Sequence, residues 1–131
     1  MIKGYKGFLP GIKANKGDMF YEVGKTYEMS EPPIAKKQGF HFCLKCSDVF
    51  SYIPFDIRNP VAEIEALGEV VKYQQHSDTK RCTNKIKIVR LLSYEEIIEI
   101  CKSEQDTYRV ITEEEYQHVK KQLNQEGDPN A

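Results

Sequence analysis

The order of its periodicities constrains this chain most. Two-residue alternation and aromatic runs fill residues 1–92, and apolar stripes at helical spacing appear only after them. Residues 1–8, 20–23, 26–29, 39–43, 61–73 and 84–92 read as extended. Gly24-Lys25 reads as the turn of a hairpin joining 20–23 to 26–29. Pro10, Gly11 and Gly17 mark a loop over 9–17, Pro32-Pro33 marks another over 30–38, and 74–82 reads as a polar loop. Ser47 is placed to cap a short helix near 47–53 that stops before Pro54. Ser93-Tyr-Glu-Glu96 and Thr112-Glu-Glu-Glu115 are capping-box starts for helices over about 94–103 and 113–125. Their stripes are Ile97, Ile98 and Cys101, then Tyr116, Val119 and Leu123. Strands first and helices last predict an α+β domain: a twisted, mostly antiparallel sheet with a C-terminal helical pair on one side. At 131 residues the chain is expected to form one domain over 1–126, with a frayed tail over 127–131.

Charge narrows the function classes. The net charge is −1, which argues against direct nucleic-acid binding driven by the whole protein's field. Residues 1–92 carry 15 Lys/Arg against 10 Asp/Glu, whereas residues 93–131 carry 4 against 10. Such asymmetry reads either as an acidic helical tail docked on a basic body or as a partner face. No run of about 18 apolar residues is present, so no membrane span is expected. The opening Met-Ile-Lys-Gly-Tyr-Lys-Gly-Phe holds no apolar leader core, which with Cys43, Cys46, Cys82 and Cys101 points to reduced thiols in a cytoplasmic setting.

Several groups could carry chemistry. Cys43-Leu-Lys-Cys46 has metal-ligand spacing, with His41, His76 and Cys82 as further donors. A single Cys-x-x-Cys without a matching pair predicts no metal centre, and Cys43 reads as a core residue. Glu63, Glu65 and Glu69 share a parity, as do Lys85 and Lys87. They form either a solvated cross-strand charge ladder or a carboxylate able to hold a ribose hydroxyl. Gly68 marks a bulge or a close backbone approach. His41 points away from Phe40 and Phe42 if all three lie on one strand. Lys72, His76, Lys80, Arg81 and Lys85 gather around one loop that could seat a phosphate. No Walker loop, glycine-rich dinucleotide turn, Gly-x-Ser-x-Gly elbow or His-Glu-x-x-His occurs.

Two resemblances add to this. Gly39-Phe-His-Phe-Cys43 followed by Ser47 and Tyr52 resembles the Gly-x-Tyr-Phe-Ala…Ser…Tyr segment of ADP-ribosyltransferases. Tyr5-Lys6-Gly7 and Glu63-Ile-Glu65 resemble the Tyr-Arg-Gly and Glu-x-Glu elements of their arginine-type branch. Over about residues 1–70 the resemblance implies NAD as cofactor, with Lys6, His41 and Tyr52 as its contacts. Glu65 would be the catalytic glutamate and His41 its partner. Lysine in place of arginine loses the planar two-toothed fork, and histidine replaces the stacking tyrosine. Lys6-Gly7-Phe8, Tyr21-Glu-Val-Gly-Lys-Thr-Tyr27, Gly39-Phe-His-Phe-Cys43 and Glu65-Ala-Leu-Gly-Glu69 resemble an uncharacterised domain of phage and prophage proteins, over most of residues 1–92. That resemblance implies a cofactor-free protein that binds a host protein, such as an anti-defence inhibitor of the anti-CRISPR kind acting on a nucleic-acid-processing complex. Glu113, Glu114 and Glu115 are then the expected partner-binding residues.

Overall fold

A long, broken β-ribbon organises the chain. In a computed structural model describing residues 1–35, 38–73 and 78–130, seven strands form one sheet. They are β1 (Ile2–Gly7), β2 (Thr26–Glu28), β3 (Phe40–Cys43), β4 (Val61–Ala66), β5 (Val70–Lys72), β6 (Lys80–Thr83) and β7 (Lys85–Leu91). Helices α1 (Cys46–Val49), α2 (Tyr94–Ser103) and α3 (Glu113–Glu126) complete the α+β fold. The sheet order is β2-β7-β4-β1-β3-β6-β5, and every pairing is antiparallel.

That order forces the sheet to curl. β4 and β5 sit four places apart, about 19 Å in a flat sheet at the usual strand spacing. Yet Ala66 and Val70 are only four Cα steps apart, about 14 Å at full stretch. β6 and β7 are also four places apart and are joined through Asn84 alone. A flat sheet is therefore impossible, and β4–β5 and β6–β7 are the two arms of one hairpin that bends over the rest. At the bend, Leu67 N donates to Lys85 O at 2.9 Å and Glu69 N to Asn84 Oδ1 at 3.0 Å. A Cβ on Gly68 would lie 2.1 Å from Asn84 Oδ1, so the close approach there needs glycine.

Several expectations change. Residues 61–73 are not one strand but two, broken at Gly68. The segment expected as a polar loop over 74–82 contains the start of β6, which pairs with β3 through His41 and Cys82. The hairpin of 20–23 with 26–29 is absent: Gly24 turns at φ 86°, but β2 pairs with β7, and Phe20 makes only an isolated bridge to Lys13. Tyr21 is buried as a plug instead.

Two apolar clusters lie on the sheet. Phe8, Phe40, Phe42, Ala62, Ile64, Ala66, Ile86 and Ile88 fill the inside of the curl with Tyr21. Val61, Leu92 and the buried faces of all three helices form the other cluster. The charge ladder read from parity forms in part: Glu65 is opposite Lys87, but Glu63 holds Arg90 at 3.1 Å, Lys85 is opposite Glu28, and Glu69 lies beyond the end of β4. Both capping boxes form, at Ser93–Glu96 and Thr112–Glu115.

The short helix differs from its reading. Its N-cap is Lys45, and Ser47 lies inside it. Its free N–H groups are taken from afar: Cys46 N and Ser47 N donate to Glu104 at 2.6 and 2.8 Å, and Ser47 Oγ donates at 2.8 Å. Asp48, fully buried, accepts from Thr79 N at 3.0 Å, Thr79 Oγ1 at 2.9 Å and Arg109 N at 2.9 Å. Replacing Asp48 by alanine strands those donors, so D48A is expected to lose about 3 kcal/mol of stability in urea unfolding. A loss below about 1 kcal/mol would show that the carboxylate is not the anchor.

Candidate functional site

A cleft opens where β1 and β3 part. β1 pairs with β4 at six positions but with β3 only through Tyr5 and Cys43. Beyond that pair the strands splay. The carbonyl of His41, which the β1 backbone no longer reaches, accepts a hydrogen bond from Lys6 Nζ at 2.6 Å. The resulting cleft measures about 640 Å³. α1 and its following turn supply Val49, Tyr52 and Ile53, while the 9–25 loop supplies Ala14, Asn15, Lys16, Met19 and Tyr21. A Cβ on Gly7 would lie 2.5 Å from Val49 Cγ1 and 2.4 Å from Ile53 Cδ1, so α1 rests directly on the β1 backbone. Asn15 Nδ2 donates to Tyr52 O at 3.0 Å and ties the loop to the α1 side.

The cleft is cationic and aromatic. Lys6 Nζ lies 5.5 and 5.8 Å from the ring centres of Tyr21 and Phe8. Lys80 Nζ sits 3.9 Å from the Tyr52 ring centre and 4.8 Å from that of Tyr73. The Tyr52 hydroxyl donates to the buried Asp78, which also accepts from Lys80 N at 3.1 Å and so fixes ring and lysine together. Among the described residues, no aspartate or glutamate lines the cleft, and neither Lys6, Lys16 nor Lys80 makes an ion pair. Burial pushes the Lys6 ammonium down to about 8, with Lys80 acting in the same direction. Burial also lowers Lys80.

His41 faces away from Phe40 and Phe42, and its ring centre lies 5.6 Å from that of Tyr73. Its Nε2 is buried and has no hydrogen-bond partner among the described residues. Burial, then the charges of Lys6, Lys80 and Lys16, push the imidazole down to about 4, so it is neutral at pH 7.

The structure thus brings Lys6, His41 and Tyr52 together and places Glu65 elsewhere. Lys6 is opposite Ala62 on β4, whereas Glu65 is opposite Lys3 and has the other parity. Glu65 lines a separate, smaller pocket of about 250 Å³ with Lys3, Glu63 and Leu44. Glu113, Glu114 and Glu115 are not part of the cleft. Glu115 is engaged internally, accepting from Thr112 N at 3.0 Å and Arg109 Nη1 at 2.9 Å. The Arg109 guanidinium beside it holds its carboxyl down to about 2. Glu113 accepts from Gln117 at 2.7 Å, and Glu114 is exposed. The four cysteines are buried free thiols. Among the described residues no group of three or more metal-type ligands gathers, and His76 lies outside them.

Sequence reasoning missed Lys16, Tyr21, Tyr73 and Asp78 as site residues. Lys80 was legible only as one of several basic residues near a loop. Eight tyrosines with no tryptophan was the available signal, since tyrosine pairs an apolar ring with a polar tip.

Fold and cleft together define an α+β protein with a cationic, aromatic-walled cleft at a strand splay. The chain belongs to a family described as a domain of unknown function, DUF7666, which matches residues 2–100. No curated protein and no solved structure matches it. Among the described residues, no helix is long and apolar enough to cross a membrane.

The neutral imidazole has a pH consequence. Folded His41 binds its proton more weakly than the unfolded residue does. Its contribution to stability is therefore present above about pH 6.5 and is lost as pH falls through about 4. Urea midpoints measured from pH 7 to pH 4 should fall less steeply for His41→Gln than for the wild type. Parallel profiles would show that His41 is freely solvated.

Proposed function

We propose that this protein binds a small phosphate-bearing molecule with an aromatic or apolar part, the class to which NAD and other nucleotides belong. The observation that carries this is a pair of ammonium groups, Lys6 and Lys80, held by a carbonyl and tyrosine rings, with no carboxylate among the described residues that line the cleft. Unpaired cations in a partly dry site are costly alone and are offset by an arriving anion. Ligand pockets commonly run from about 300 to 1,000 Å³, and this cleft falls within that range. The ADP-ribosyltransferase resemblance places its NAD contacts on Lys6, His41 and Tyr52, which the cleft unites. The placement of Glu65 on the opposite face of β4 supports binding without transfer.

Titration calorimetry with NAD, AMP and pyrophosphate tests the reading. At least one should bind, and Lys80→Gln should weaken it tenfold or more. Heats at the dilution level for all three would remove the proposal.

A second reading, capture of a basic host protein by a cytoplasmic phage-type inhibitor, draws on a different surface. Tyr108 and Val110 are 62% and 71% exposed just ahead of the exposed Glu113 and Glu114. A host protein retained by the wild type at moderate salt should be lost from the double variant E113K/E114K, which leaves the Glu115 cap intact. Equal retention would dismiss that face.

A further inference from the structure

We propose that Lys6 is a reactive amine that captures a phosphate-bearing aldehyde as an imine in the β1/β3 cleft. The inference rests on the anion-binding reading above and narrows its ligand to carbonyl compounds. It stands on where the nitrogen sits. Lys6 Nζ is in the cleft wall, anchored to the His41 carbonyl at 2.6 Å and flanked by the Phe8 and Tyr21 rings. A carboxylate partner would hold the amine charged and inert, and none of the described residues supplies one. A carbonyl oxygen accepts from a neutral amine as well as from an ammonium. The Lys6 amine therefore keeps its anchor after losing its proton and still has a lone pair to offer.

Desolvation and a neighbouring cation are the two means by which a lysine becomes a nucleophile near neutral pH. Both act here: burial leads and Lys80 assists, bringing Lys6 to about 8. Lys80 has the closer ring contacts: its ammonium lies 3.9 and 4.8 Å from two tyrosine ring centres, against 5.5 and 5.8 Å for Lys6, and that tighter hold on the charged form suits it to the phosphate. Lys16, also in the lining, adds a second cation for that anion.

The chemistry balances without a further reactant. The amine lone pair attacks the aldehyde carbon, a C–N bond forms, and the carbonyl electron pair moves to oxygen. A proton passes from nitrogen to that oxygen, giving a carbinolamine. Loss of water then leaves the C=N bond.

Pyridoxal 5′-phosphate with borohydride reduction is the probe, read by peptide mass mapping. The expected result is one reduced label per chain, at Lys6, with a labelling rate that rises around pH 8 rather than the value near 10.4 of a free lysine. Pyridoxal without phosphate should label at least tenfold more slowly, and inorganic pyrophosphate should protect. Lys6→Arg, which keeps a donor for the His41 carbonyl, should lose the label while its circular dichroism spectrum matches that of the wild type. Label spread over surface lysines, or unchanged labelling in the variant, overturns the imine. If the wild type binds pyrophosphate but takes no label, the imine fails and the anion site stands. If it does neither, both fail.

Discussion

The buried carboxylate of Asp48 holds together parts of the chain that would otherwise be independent. α1 is a single turn, too short to be stable alone, since helix nucleation costs more than one turn returns. Asp48 binds it to the start of β6 through Thr79 and to the loop before α3 through Arg109 N. Glu104, at the end of α2, closes the N-terminus of the same turn. Fixed from three directions, α1 presses Val49 and Ile53 onto Gly7 and sets Tyr52 against Lys80. One wall of the cleft thus depends on two carboxylates from outside it.

The other constraint is the curl. Because the β4–β5 and β6–β7 arms bend over the sheet, β3 follows β6, and β1 follows β4, along diverging directions. Their single shared pair at Tyr5 and Cys43 is the hinge of the splay. Backbone groups released by a splay need partners, and a lysine side chain answers for one of them at His41. The feature that opens the cleft also recruits its cation.

What the sequence disclosed follows the range of each interaction. The two capping boxes were legible because donor and acceptor lie three residues apart. The opposite facing of His41 and of Glu65 relative to their neighbours followed from strand parity. The broken ribbon was half legible: Gly68 stands out as a bulge or a close backbone approach, but that the strand divides there follows only from its contact with Asn84. The α1 cap was misread because Ser47 satisfies the local rule, while the actual acceptor, Glu104, is brought in by tertiary packing. Lys6, His41 and Tyr52 could be grouped by resemblance. That Glu65 faces the other way depends on the β1–β4 register, which no local pattern encodes. Lys80 and Tyr73 reach the site through the β3–β6 pairing, equally invisible in a linear reading.

Charge shows the same separation of local from global. The excess of acid after residue 92 is used in large part at helix starts, where backbone N–H groups carry positive partial charge. Glu96 accepts from Ser93 N, Glu115 from Thr112 N, Glu104 from Cys46 N and Ser47 N, and Asp128 from Tyr94 N at 2.6 Å. Every helix of the described chain has its N-terminus neutralised by a carboxylate from this segment. Those acids do not reach the cleft, so they do not cancel Lys6, Lys16 and Lys80. A net charge near zero therefore coexists with a cleft whose described lining carries three lysines and no carboxylate. Fields at a few ångströms are set by the nearest groups, whereas distant exposed charges are screened within about 10 Å at ordinary salt. The sum over the chain bears on solubility and long-range steering. The field inside the cleft is set by its own ammonium groups, one held by a backbone carbonyl and another by tyrosine rings.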